Sequence, residues 1–238
     1  MSSIPTPAHA RNSTWEVDQS PYPIAHRLAL FLPGLIAAVV VAAIVGLIVS
    51  WPAGILALAI VLSLSFLVDV TAGSWAVRRV GAKEPATPRL SNIASGLAAS
   101  LGVAAPTILV LERGGPNALV IAGRGAPTII VTRSLIDDFT RTELEGAIAH
   151  CLIRASEGRL RYAATAARMG RWAFRFAPSV GGADDVHASA LTRYPPALAS
   201  AISKADRRVD DRFGPLWFVW DGVSHVPAEQ RMSALLDL

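Results

Sequence analysis

The residues best equipped for chemistry lie in one run, Glu143 to Arg154, which reads ELEGAIAHCLIR. Leu144, Ala147, Ile148, Cys151 and Leu152 recur three or four apart, which predicts a helix with one apolar face. His150 sits in its middle and is the only histidine between residues 27 and 186. A helix that carries zinc for hydrolysis reads H-E-x-x-H, which sets two imidazoles one turn apart with a carboxylate beside them as base. Here the residues from His150 to Arg154 read H-C-L-I-R. The first ligand position is filled, the base position holds Cys151 and the second ligand position holds Arg154. Catalytic zinc needs three protein ligands, a polarised water and a base. One imidazole binds zinc weakly, and a guanidinium repels a dication and keeps its proton. His187, Asp184 and Asp185 add further ligand types. Cys151, adjacent to His150 on a helix, points about 100° away from it. That argues against a shared metal and against a Cys–His nucleophile pair. Cys151 reads instead as a small buried apolar side chain, and His187 as a residue of a helix surface. His225 falls in a loop and carries no signal. Gly123-Arg124-Gly125 lacks the Lys-Ser/Thr ending of a phosphate-binding loop.

The elements that must position this run follow from the rest of the 238 residues. Hydrophobic residues make up 52% and charged residues 17%, too apolar for a wholly soluble domain. The net charge of +4 fits Lys and Arg beside an anionic membrane surface better than a nucleic-acid partner, and aromatic residues are too few for an RNA-stacking surface. A single cysteine excludes an internal disulfide and a Cys-rich zinc finger. The Ala-, Arg- and Val-rich usage suggests a bacterium of high GC content. Residues 1–27 are polar and Pro-rich and read as a disordered arm. Leu28 to Val68 contains no Lys, Arg, Asp or Glu, about twice the length of one bilayer crossing. Ser50-Trp51-Pro52-Ala53-Gly54 breaks it, predicting a transmembrane hairpin over 28–73, with helices at 28–49 and 53–73. His26, Arg27, Arg78, Arg79 and Lys83 at its outer ends place both termini in the cytoplasm, in a multi-pass protein of the inner cell membrane. Asp69, near the end of the second helix, reads as water-exposed.

The remainder, 80–238, is expected to be α+β and mainly helical. A Pro-rich linker over 80–90 precedes a helix from Ser91 to Leu101. Three short strands, 107–111, 118–122 and 128–132, with Gly-rich turns, predict a small antiparallel meander. Thr140 and Glu143 form a capping box for the central helix. The helical pattern then continues to Arg175, with a basic and aromatic face of Arg159, Arg161, Arg168, Arg171, Arg175, Trp172 and Phe174. Helices are expected from Asp184 to Leu191, Pro195 to Asp211 and Ala228 to Leu238, with a buried apolar segment PLWFVW from Pro215 to Trp220.

This order of elements resembles the HtpX-type membrane zinc metalloproteases of the gluzincin group. Gly102-Val103-Ala104-Ala105-Pro106 looks like that family's G-x-x-x-P entry to its first strand, and Asn117-Ala118 like its Asn-Ala pair. Thr128 to Leu135 followed by Thr140 to His150 is similar to its strand, Thr-x-x-Leu and D/T-x-x-E-L-x-x-x-x-A-H run. Thr192 to Pro196 and PAEQRMSAL from Pro227 to Leu235 look like its C-terminal P-x-x-x-R-x-x-x-L pattern. The resemblance covers about 90–238, and the hairpin suits it. It implies a zincin fold, with His150 as the first zinc ligand, Cys151 at the glutamate position and Arg154 at the second histidine. The third ligand is a glutamate four residues before an aspartate. If that aspartate is Asp185, the ligand position is Gly181. Three of the four catalytic positions are therefore lost. Arg154 is expected to fill the metal's place with its own charge, pairing with Asp184 or Asp185. The implied protein is a pseudopeptidase without cofactor. It would hold a polypeptide by strand addition near Asn117 and the strand Ile129, Ile130, Val131 and Thr132, or pair in the lipid bilayer with a membrane protein such as an active relative. Two rivals stand beside it: an active metalloendopeptidase with an unconventional or partner-supplied zinc site, and a lipid-surface or nucleic-acid binder using 159–175.

Overall fold

In the computed structural model, residues 24–82, 84–122, 125–156 and 158–238 are described, Arg27 by its backbone alone. The expected arm up to residue 23, Lys83, Glu157 and the Gly123-Arg124 pair lie outside the described residues. The charge-free run forms two helices, α1 (Ile24–Ile48) and α2 (Trp51–Val80). Ser50 precedes α2 in extended geometry and Pro52 sits in its first turn, where its missing N–H costs no helical bond. The helices pack through small residues: a Cβ on Gly54 would lie 2.7 Å from the Ala42 carbonyl and 2.9 Å from the Gly46 Cα. Their outward surface is apolar, from Val39 and Ile44 to Ile55 and Phe66. α2 runs seven residues past the expected end at residue 73 and closes at Gly81, whose φ of 78° suits glycine. At about 1.5 Å per residue it spans roughly 45 Å, longer than a bilayer core.

Asp69 is not simply exposed to water. Its Oδ1 accepts a hydrogen bond from the Thr165 hydroxyl (2.6 Å), which ties α2 to α6 (Leu160–Met169). Further along α2, a Cβ on Gly73 would come within 2.4 Å of the Ala122 carbonyl, so the helix lies directly against the end of a strand.

The sheet is mixed, not an antiparallel meander. β1 (Glu84–Pro85), β2 (Thr107–Leu111), β3 (Ala118–Ile121) and β4 (Thr128–Thr132) lie in the order β1-β2-β4-β3. β2 and β4 run parallel, from Thr107–Thr128 to Leu111–Thr132, while β3 is antiparallel to β4. The reason is in the side chains: Ile129 to Thr132 of β4 are all buried, as suits an inner strand covered on both faces. β1 lay hidden in the Pro-rich linker because two residues carry no periodicity, and Pro85 is tolerated on an edge strand.

Helices cover the sheet. α3 (Pro88–Leu101) starts at Thr87-Pro88, earlier than Ser91, and ends at Gly102 with φ 66°. α4 (Arg133–Asp138) leads to α5 (Arg141–Ser156), the run around His150, which is buried from Glu143 to Arg154 save Glu145. The Thr140–Glu143 capping box forms: the Thr140 N–H donates to Glu143 Oε2 (2.8 Å) and the Glu143 N–H reaches the Thr140 hydroxyl (3.4 Å). Instead of one helix to Arg175, the chain turns near Gly158, whose φ is 67°, forms α6, and ends in a 3-10 turn at Arg171–Phe176. α7 (Ala183–Thr192), α8 (Pro195–Lys204), a 3-10 turn at Asp211–Leu216 and α9 (Ala228–Leu236) complete the described elements. α8 stops at Lys204, short of the expected residue 211.

Candidate functional site

α5 presents His150 to a chamber closed by the start of α7, by α9 and by the segment after Asp211–Leu216. The His150 ring is fully buried, and its Nδ1 lies 2.9 Å from Asp185 Oδ1. The distance is short but the direction is poor: neither ring nitrogen meets hydrogen-bond geometry. The ring packs edge-on against Phe218, centroids 5.0 Å apart. Burial pushes its pKa down to about 4, against the opposing pull of Asp185, so the imidazole is neutral at pH 7.

Asp185 belongs to Arg231 of α9. Arg231 Nε and Nη2 donate to its two oxygens at 2.7 Å each, a buried bidentate pair, and the Gly182 N–H donates to Oδ2 (3.1 Å). Burial opposes the charge on Asp185, but the Arg231 guanidinium outweighs it and holds the carboxyl well below the usual range. The expected Arg154 pairing therefore falls on the other acid: Arg154 Nε is 4.0 Å from Asp184 Oδ2, and Arg159 Nη2 is 3.1 Å from Asp184 Oδ1.

Arg154 has a second task that its sequence position does not suggest. Its Nη2 donates to the Pro215 carbonyl (2.8 Å) and its Nη1 to those of Leu216 (3.4 Å) and Trp217 (3.2 Å). Arg231 Nη1 takes the next carbonyl, Phe218 (2.8 Å), and Asn117 Nδ2 the one after, Val219 (2.8 Å). His225 Nε2 donates to the Trp217 carbonyl as well (3.0 Å). Five consecutive carbonyls are thus fixed by buried side chains, and the PLWFVW segment packs against the face of α5 that carries His150 and Arg154. Arg231 and His225 escaped the sequence reading as site residues. Arg231 stood in the P-x-x-x-R pattern, the one signal for it; His225 had none.

Gly181 is equally committed. Its φ is 99°, and a Cβ there would meet the Arg231 side chain at 2.7 Å. A carboxylate-bearing residue at this position would collide with the arginine that neutralises Asp185. Cys151 is fully buried, and burial pushes its thiol up to about 12. His187 is half-buried on α7 and joins neither Asp184 nor Asp185 in the contacts above. Among the described residues, no group of three His, Cys, Asp or Glu side chains is placed to hold a metal ion. His150 is a suitable ligand. The guanidinium of Arg154 and the glycine at 181 are not, so the residues present do not fit a catalytic zinc.

The groove expected along β4 does not exist as such. β4 is bonded on both sides, to β2 and β3, so Ile129, Ile130, Val131 and Thr132 offer no free edge. Asn117 is a buried clamp: besides Val219 it donates to the Asp206 carbonyl (2.7 Å), and its Oδ1 accepts from the Ala118 N–H (2.8 Å). Thr132 accepts from the Asn117 N–H (3.0 Å). The outer edge of β3 is met by the same internal segment, Phe218 N–H donating to the Ala118 carbonyl (2.7 Å), with Leu119 bridging Trp217. The arginines of 159–175 are not one face either: Arg161 bonds the Tyr162 hydroxyl, Arg168 the Val68 carbonyl, and Arg171 lies 3.4 Å from Asp211.

Two long apolar helices leading into a mainly helical α+β domain, with a buried histidine on its central helix, define the architecture. No family model matches the chain. Over 101 residues, 40% of this chain and 35% of the relative, it is 39% identical to a protease HtpX homolog of Halobacterium salinarum. Over 75 residues, 29% of this chain and 24% of each relative, it is 37% identical to protease HtpX homologs of Dictyoglomus turgidum and Dictyoglomus thermophilum. The matches thus span about a third or less of the length of these curated relatives. A crystal structure of S. mikatae Ste24p superposes over 89% of this chain and 63% of its own, with TM-score 0.48 and 11% identity. Over these stretches the chain is similar to protease HtpX homologs, and its own run from His150 to Arg154 reads H-C-L-I-R.

Proposed function

We propose that the protein is a non-proteolytic, HtpX-like membrane protein that binds a partner membrane protein or a polypeptide instead of cutting it. One observation carries this reading: the guanidinium at the second-ligand position is buried and spent on the backbone of residues 215–217. A group in that role cannot give way to a zinc ion without stranding both its own charge and the Pro215 and Leu216 carbonyls. The reading includes no resident metal, no nucleic-acid partner, an inner-membrane location and cytoplasmic termini. Arg78 and Arg79 at the last turn of α2 support that orientation through the positive-inside rule.

The partner surface is not the β4 groove. A strand added at β3 would have to displace the 217–219 segment, and the other edge, β1, is two residues long with a proline, so the reading favours a folded partner, such as an active relative, docking on the apolar outer surface of the hairpin. The test is a mild-detergent purification of the tagged chain, with zinc analysis, a casein assay and identification of co-purifying membrane proteins. Stoichiometric zinc together with chelator-sensitive cleavage would overturn the reading and favour the active-protease rival.

A further inference from the structure

Along α2, one face carries a graded series at three- and four-residue spacing. Leu64, Leu67 and Val68 come first, Thr71 and Trp75 follow, and Arg78 and Arg79 end it. With Arg168 of α6 these residues line an open groove of about 680 Å³. Its apolar end belongs to the membrane-facing surface, since Leu64 and Leu67 are 55% and 54% exposed. Its far end lies about 22 Å along the helix at the α-helical rise. Arg168 is fixed midway along the groove: its Nη1 donates to the Val68 carbonyl (3.1 Å) and the Thr71 hydroxyl, and its guanidinium stands 6.0 Å from the Trp75 ring centroid. Trp75, between chains and charge, has the amphipathic ring that settles at headgroup level. No carboxylate lines the groove, and the neighbouring acid Asp69 is occupied by Thr165.

We propose that this groove is a binding site for an anionic phospholipid, its phosphate at Arg78 and Arg79, its glycerol part passing Trp75 and Arg168, and an acyl chain along Leu64 and Leu67. Guanidinium forks match phosphate oxygens, which explains the cationic end. A free phosphate would leave the apolar end unused, and a zwitterionic lipid would bring its own cation to the three arginines. The site would fix the junction of α2 and α6 at the membrane surface, next to the Asp69–Thr165 bond.

The test uses the full chain in mild detergent, given equal amounts of phosphatidylglycerol and phosphatidylcholine, with bound lipid read by native mass spectrometry. Phosphatidylglycerol is expected to be retained in preference. R78Q/R79Q, two exposed positions, should lower its retention by about tenfold or more. R141Q/R193Q, with the same loss of charge elsewhere, should leave it unchanged, and soluble glycerol phosphate should not displace it. Equal retention of the two lipids overturns the site. So does undiminished retention in R78Q/R79Q, an equal loss in R141Q/R193Q, or displacement by glycerol phosphate.

Discussion

At the scale of single residues, the chamber around α5 is held by charge placed out of water. Asp185 and Arg231 are a buried pair, and breaking such a pair leaves an uncompensated ion. Arg231→Ala is therefore expected to cost about 3–5 kcal/mol of stability in denaturant titrations. Arg231→Lys should recover little, because an ammonium cannot make the two parallel bonds to Asp185 and also reach Phe218. The histidines give a pH dependence of definite sign. His150 is held neutral, with its pKa down from 6.5 to about 4, and His225 is shifted the same way by burial and by nearby Arg154. Between pH 6.5 and 4 the unfolded chain binds protons that the folded chain refuses, so stability falls as the pH falls through that window. The carboxylates add to the loss lower down. Glu143, whose burial is outweighed by Lys204, Ser200 and Thr140, keeps its charge down to about 2, and its contribution declines as the pH drops below 4.5. Denaturation midpoints measured from pH 7 to pH 4 should drop, and the drop should shrink in His150→Gln. Cys151 should resist alkylation in the native protein and react at an ordinary rate once denaturant opens it, as mass labelling would show.

At the scale of elements, the helix around His150 was legible because its period, its cap and its histidine are local. Its neighbours were not. The segment from Pro215 to Val219 reads only as apolar and buried; that its carbonyls meet Arg154, Arg231 and Asn117 depends on contacts of 13 to 102 residues' separation. The strands were recognised from their β-branched composition, but their order was not. Three apolar strands with Gly-rich turns suit a meander as well as the mixed sheet, and only packing between layers chose the second. This geometry constrains any attempt to rebuild a metal site. The variant C151E/R154H should show no zinc-dependent proteolysis, since Gly181 still supplies no ligand and the Pro215 and Leu216 carbonyls lose the Arg154 donor. Adding G181E should further destabilise the protein, because the new side chain starts at a φ of 99° and within 2.7 Å of Arg231. Zinc analysis and melting temperatures of the two variants check both outcomes.

At the scale of the whole molecule, the membrane hairpin and the domain behind it are one mechanical unit. α2 passes from the apolar zone to the sheet without a break, bonded to α6 through Asp69 and Arg168 and pressed on β3 at Gly73. Gly73→Leu should push the helix off Ala122 and raise protease sensitivity near the β3 end, with little effect on membrane insertion of the apolar run. Limited proteolysis of membranes carrying each form would show the difference.

Composition and periodicity, which are local properties, were enough to place the charge-free hairpin, the capped central helix and the His150, Cys151 and Arg154 run on it. Hydrophobic run length, a capping box and helical spacing need no knowledge of distant chain. The tertiary structure alone decided which partners the buried charges found: Arg231 bound to Asp185, and Arg154 shared between Asp184 and three carbonyls; it alone made β4 an inner strand. Those outcomes come from desolvated charges finding partners across the chain, and such pairings obey burial and geometry rather than any spacing along the sequence.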